Sequence, residues 1–200
     1  MAEILYSKLS PYAAKARMAV LHVGFPATSR AIDAFQPTSE FLGANPLGKV
    51  PVLLLDDGRA LHDSRVIMRF LDMWSRGKLY PADPDRLIEV AQFESLCDGV
   101  CDCLQAIMFE KRYRPEAKMF QGWIDRQWEK ATRTLDRLET DVAGRGLAPD
   151  AATLALRGML GYLSIRFKGE WEESHPDLAS WIDRFDRANP EVSKAAPGRG

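Results

Sequence analysis

The sequence predicts an α/β half followed by an all-α half, and three observations carry that expectation. Before residue 76, short apolar runs alternate with helical stretches and tight turns. Arg76 to Pro84 then concentrates two prolines and a glycine, a turn-rich break. Beyond it, apolar residues recur at intervals of three and four, the period of an amphipathic helix. The expected organisation is an α/β domain over 1–76, a linker over 77–86 and an all-helical domain over 87–200.

In the first half, Glu3-Ile4-Leu5-Tyr6 is a short strand broken by Ser7 and Ser10-Pro11. Pro11 suits the first position of a helix running to Gly24, with Ser10 as its N-cap. Ser29 to Asp33 is a weakly signalled second strand, and Glu40-Phe41-Leu42 a helical fragment. The chain is organised around Asn45 to Ser64, NPLGKVPVLLLDDGRALHDS. Val50 to Leu55 reads as a buried strand, Asp57-Gly58 as a two-residue hairpin turn, and Arg59-Ala60-Leu61 as the returning strand. Asp63-Ser64 then opens a helix whose apolar positions are Val66, Ile67, Phe70, Leu71 and Trp74. Pro51 stands out, because it forfeits a ladder N–H and belongs at an edge or beside a ligand.

The second half predicts one long helix, or two joined end to end, from Leu87 to about Arg114. Its broad apolar side suits both a core and a partner surface. A second long helix carries Phe120, Ile124, Trp128, Ala131, Leu135, Leu138 and Val142, and Gly144 and Gly146 stop it. Asp150 with Thr153 signals a capped helix through Phe167, and His175-Pro176-Asp177-Leu178 opens a last one through Phe185. Asn189 to Gly200 is expected to be loosely held.

Two hundred residues suffice for real cores, and the net charge of −1 without a basic block argues against nucleic acid as a partner. There is no apolar run of membrane-spanning length and no signal-peptide pattern at the start, so a cytoplasmic location is expected. Cys97, Cys101 and Cys103 are an odd set without a histidine close in sequence. They read as reduced, packed thiols, and no metal is expected.

The Val50-Pro51 and Asp63-Ser64 pairs, set in this order of elements, resemble the thioredoxin-like domain of cytosolic glutathione S-transferases, which precedes an all-α bundle. The stretches Cys97-Asp98-Gly99, Arg114-Pro115-Glu116, Trp123 to Gln127 and Leu160 to Leu163 are similar to the small bacterial, YibF-like type. The usual Ser/Thr-first, Asp-fourth capping motif is reversed at Asp150 and Thr153.

The resemblance implies a cis Pro51 and backbone pairing of Val50 with the cysteinyl part of glutathione. It also implies a γ-glutamyl grip by Asp63 and Ser64, and Lys49 near the glycyl carboxylate. Ser10 stands where thioredoxins have their first cysteine and Ala13 where they have the second, so dithiol exchange is not expected. A hydroxyl there is the candidate catalytic group, favouring the thiolate by donating a hydrogen bond, with Ser7 and Tyr6 as rivals. Capping and thiolate donation are expected to compete for the one Ser10 proton.

Tyr12, Met108, Phe109, Arg112 and Tyr113 are the implied second-substrate pocket. Asp98 or Asp102 is the implied acid reaching a partner subunit's bound ligand. The function so implied is conjugation of glutathione, as cosubstrate and with no cofactor, to hydrophobic electrophiles by a homodimer. The alternative is a non-catalytic transferase-like binding or regulatory protein.

Overall fold

The computed structural model describes residues 1–197. Strand β1 (Ala2–Tyr6) lies inside a four-stranded sheet of order β2-β1-β3-β4. It pairs in parallel with β2 (Ala27–Ala31) and antiparallel with β3 (Val52–Leu54), which pairs antiparallel with β4 (Ala60–Leu61). Side chains on a strand alternate between faces, and the sheet uses both. Ile4 and Leu53 enter the main core, while Leu5 and Val52 pack with Phe41 in a smaller cluster.

Helix α1 (Pro11–Val23) starts at the Ser10 cap and ends at Gly24, whose φ of 77° is the left-handed conformation glycine tolerates. Helix α2 (Ser39–Ala44) supplies Phe41 to the small cluster. Helix α3 (Ser64–Ser75) sends Ile67, Met68 and Leu71 into the main core.

The rest of the described chain is helical. Helix α4 (Pro84–Tyr113) is a single 30-residue helix, packed on α5 (Gln121–Val142) and α6 (Ala151–Arg166). Helices α7 (Pro176–Ala188) and α8 (Pro190–Ser193) close the bundle. Helix α6 is the central pillar, buried from Ala151 through Leu163. Its start carries the reversed capping box in full. The Thr153 N–H donates to Asp150 Oδ1 at 2.7 Å, and the Asp150 N–H donates to Thr153 Oγ1 at 2.8 Å. Cys97 and Cys101 are buried and Cys103 half-buried, all three as free thiols, and burial raises the pKa of each.

Several boundaries differ from the sequence expectation. Strand β2 starts two residues before Ser29, because the chain re-enters the sheet directly after Gly24-Phe25-Pro26 with Ala27 opposite Ala2. Strand β3 begins only at Val52, since Pro51 has no N–H for the ladder. The Asp57-Gly58 turn is not a two-residue loop. The Gly58 N–H bonds Leu55 O and the Leu55 N–H bonds Arg59 O, a wider turn with Gly58 at φ 86°. Helix α4 starts at Pro84 rather than Leu87, because Asp83 caps it by accepting from the Arg86 N–H.

The tail is also better held than expected. Val192, Ala195 and Ala196 are buried in the main core, with α8 against α1, so residues 190–197 pack rather than fray. The remainder of the expected loose tail, 198–200, lies outside the described residues. No described helix is long and apolar enough to cross a membrane.

Candidate active site

The loops after β1 and β2 and before β3, the α1 and α3 N-termini and the faces of α4 and α6 enclose a cleft of about 550 Å³. Of the residues singled out from the sequence, it is lined by Ser10, Tyr12, Lys49, Val50, Pro51, Asp63, Ser64, Phe109 and Tyr113.

The loop before β3 is fixed by a buried asparagine. Asn45 Nδ2 donates to Lys49 O at 2.7 Å, and its Oδ1 accepts from the Leu47 N–H at 3.1 Å. The Val50-Pro51 peptide is cis, as is His62-Asp63. The Val50 backbone has no hydrogen-bond partner among the described residues and stands ready for an extended ligand strand.

At the far end Asp63 and Ser64 divide their work. Asp63 Oδ1 accepts from the Arg65 N–H at 2.9 Å and caps α3. Ser64 is buried, yet its hydroxyl lines the cleft without a partner among the described residues. This end combines a carboxylate with a helix N-terminus, a setting for a ligand's ammonium and carboxylate together.

Ser10 caps α1 by accepting from the Ala13 N–H at 3.2 Å. The expected competition for its proton does not arise. The cap uses a lone pair of Oγ, which leaves the O–H free to donate into the cleft. Ser7 also lines the cleft, but Tyr6 does not; its ring lies under the Arg17 guanidinium, 3.7 Å away.

Two members of the expected second-substrate pocket lie elsewhere. Met108 packs against the main core, and Arg112 stacks 3.9 Å over the Phe35 ring; neither lines the cleft. Successive residues on a helix point about 100° apart, so Phe109 faces the cleft while its neighbour Met108 turns inward.

The expectation for Asp98 changes too. It is buried and held within its own chain, 2.8 Å from Lys15 Nζ and 3.2 Å from Arg65 Nε. Lys15, only 1% exposed, also donates to Glu94 at 2.9 Å, and Glu94 accepts from the Tyr80 hydroxyl at 2.6 Å. Burial opposes the Lys15 charge, but Asp98 and Glu94 outweigh it and hold the ammonium's pKa above the ordinary lysine value. This cluster ties α1, which carries Ser10, to α4 and to the start of α3. Asp102, on α4, accepts from the Tyr12 hydroxyl instead. Burial and the acids around it raise the Tyr12 pKa, so the phenol stays protonated.

The sequence reading also missed Phe35, Arg65, Gln105, Tyr162 and Arg166, all of which line the cleft. Only Phe35, an aromatic in an otherwise polar loop, left any local signal.

Comparison with known proteins agrees with this geometry. The glutathione S-transferase N-terminal domain family matches residues 9–73. The chain is 32% identical over 146 residues to the uncharacterized GST-like protein YibF of Escherichia coli K12, covering 70% of this chain and 72% of that one. Its fold superposes with a TM-score of 0.91 on a Methylobacillus flagellatus glutathione S-transferase with glutathione bound, at 33% identity over 98% of this chain and 100% of that one. A Methylobacterium radiotolerans glutathione S-transferase in complex with glutathione sulfonate gives 0.90 at 31% identity, covering 98% and 94% of the two chains. The fold is thus that of the glutathione transferases, a thioredoxin-like sheet unit followed by helices. The chain belongs to the glutathione S-transferase family, as a YibF-like member.

Proposed function

We propose that the protein binds glutathione in this cleft and transfers its sulfur to an electrophile. The carrying observation is that one cleft collects the unpaired Val50 backbone, the Ser10 hydroxyl and the Asp63-Ser64 end. Glutathione lies extended, its cysteinyl amide paired with Val50 and its γ-glutamyl carboxylate on Ser64 and the α3 N-terminus. Asp63 takes the ammonium and Lys49 the glycyl carboxylate.

This places the sulfur near Ser10. Free thiols are mostly protonated at neutral pH, and the Ser10 O–H favours the anion by donating to it. The positive end of α1 acts in the same direction. The thiolate attacks an electrophile seated against Tyr12, Phe109 and Tyr113, expelling a leaving group or adding across an activated double bond.

Glutathione bound to the Methylobacillus flagellatus protein and glutathione sulfonate bound to the Methylobacterium radiotolerans protein support the binding step. A homodimer fits the apolar side chains left in water, Met73 on α3 at 73% and Ile88 on α4 at 62% exposure.

Calorimetry with glutathione and turnover of 1-chloro-2,4-dinitrobenzene test the reading together. Micromolar to millimolar binding with saturable turnover is expected. Binding without turnover of chloro-aromatics, isothiocyanates or peroxides would leave a binding protein, and no binding would refute the assignment.

A further inference from the structure

The cleft is also lined by two neighbouring polar side chains of α6, Tyr162 and Arg166, that the transferase reading leaves unused. Tyr162 is only 6% exposed, lines the cleft, and its hydroxyl has no hydrogen-bond partner among the described residues. The hydroxyl itself is not sealed off, so while the rest of the side chain is covered it remains free to donate to a ligand in the cleft. One turn further along α6 is Arg166, which lines the same cleft and makes no hydrogen bond or ion pair among the described residues. Residues four apart share a helix face. The two are electrostatically coupled: burial raises the Tyr162 pKa, and the Arg166 charge opposes that rise. The pair therefore presents a phenol O–H and a guanidinium fork side by side.

The charges around them narrow the choice of ligand. Each acid lining the cleft is already engaged: Asp63 with the Arg65 N–H, Asp98 with Lys15 and Arg65, and Asp102 with Tyr12. Of the cations, Arg65 is held by Asp98, and Lys49 sits at the opposite end beside Val50. Arg166 is left without an anion at the electrophile's end.

The same helix face also meets α1. Gly158, one turn before Tyr162, packs so closely on α1 that an added Cβ would lie 2.8 Å from Pro11 O, next to Ser10. Gly158, Tyr162 and Arg166 therefore follow one another at intervals of four from the contact with α1 to the last residue of α6. At about 1.5 Å of rise per residue, Tyr162 and Arg166 lie roughly 6 Å apart along the helix, close enough for both side chains to meet one carboxylate.

The geometry points to an electrophile that carries a carboxylate, held by Tyr162 and Arg166 while its reactive carbon faces the sulfur. This inference rests on the transferase reading above and names its substrate class. For a 4-chloro-3-nitrobenzoate, sulfur forms the new bond to the chlorine-bearing carbon. Chloride leaves with the electron pair of the broken bond, the thiol proton passes to solvent, and the carboxylate stays on the pair throughout. Tyr162 donates its O–H, and Arg166 gives the charge-assisted, directional contact.

The test uses two chemically prepared conjugates, S-(4-carboxy-2-nitrophenyl)glutathione and its carboxamide counterpart, so that binding is read without turnover. Calorimetry on the wild-type protein is expected to show the acid binding about tenfold more tightly than the amide. Arg166→Met should bring that ratio close to one, and Tyr162→Phe should lower it several-fold. Equal affinities in the wild type, or an acid preference that survives both substitutions, overturn the proposal. So does failure of both conjugates to bind while glutathione itself binds. Failure of glutathione to bind refutes the reading of the cleft instead. An acid preference without any turnover upholds the carboxylate site and removes only the catalytic step.

Discussion

At the scale of single residues, the site depends on which atom of each small polar side chain is already engaged. Ser10 gives a lone pair to its helix and keeps its proton, whereas Asp63 gives an oxygen to α3 and so frees Ser64. That division predicts an asymmetry. Ser64→Ala removes no cap, because Asp63 holds that place, so thermal stability should stay within about 0.5 kcal/mol of wild type. It should nonetheless weaken glutathione about tenfold by calorimetry, the worth of one hydrogen bond to a charged group. A matching loss of stability and affinity would instead mark Ser64 as structural.

Among elements, the contact of α1 with α4 and α6 positions Ser10, and two features control it. The first is the buried charge cluster. Lys15→Met leaves Glu94 with only the Tyr80 hydroxyl and Asp98 with only Arg65, and should cost about 3 kcal/mol in urea unfolding at neutral pH. The folded-state pKa of Lys15 is raised, so its contribution is complete below the ordinary lysine pKa of about 10.4 and is lost as pH climbs through the higher folded value. Wild-type stability should therefore decline in that alkaline window, and the Met variant should lack this component of the decline. The second feature is Gly158. A methyl group there meets a backbone oxygen at 2.8 Å, so Gly158→Ala should destabilise by about 1–3 kcal/mol despite the better helix propensity of alanine, as denaturant midpoints would show.

Elements also show what the sequence could and could not reveal. Helices α1 and α6 are legible from their local caps at Ser10 and Asp150, and α4 and α5 from their recurring apolar positions. The start of α7 is only half legible. His175-Pro176 marks the place, but the N–H groups of Asp177 and Leu178 are capped by Glu139 of α5, 38 and 39 residues away. Lys15 likewise looks like a lone charge on an apolar helix, because Glu94 and Asp98 lie 79 and 83 residues further on. Tyr162 and Arg166 left no signal, since a helix buried on nearly every side does not reveal by period which face opens to a cleft. The Val50-Pro51 and Asp63-Ser64 side of the cleft was readable because its residues lie close in sequence. The wall that α1, α4 and α6 build jointly was readable only in part: Tyr12, Phe109 and Tyr113 were expected there, Gln105, Tyr162 and Arg166 were not.

At the scale of the whole molecule, the exposed apolar residues on α3 and α4 are where the proposed second copy would dock. If Met73 and Ile88 lie in a homodimer interface, Met73→Glu should convert a species of about twice the 22.5 kDa chain mass to one of chain mass in sedimentation. A monomeric wild type would remove that face from consideration. Dimer or monomer, the chemistry asks one thing of the cleft: that it hold a sulfur as its anion beside Ser10.

The most direct measurement of that requirement is a pH titration of the thiolate's ultraviolet absorbance in the glutathione complex. The bound thiol should ionise at least one pH unit below the free value of about 8.5, and in Ser10→Ala it should move back up towards that value. A bound thiol that titrates like free glutathione, with or without the Ser10 hydroxyl, would contradict activation at this site.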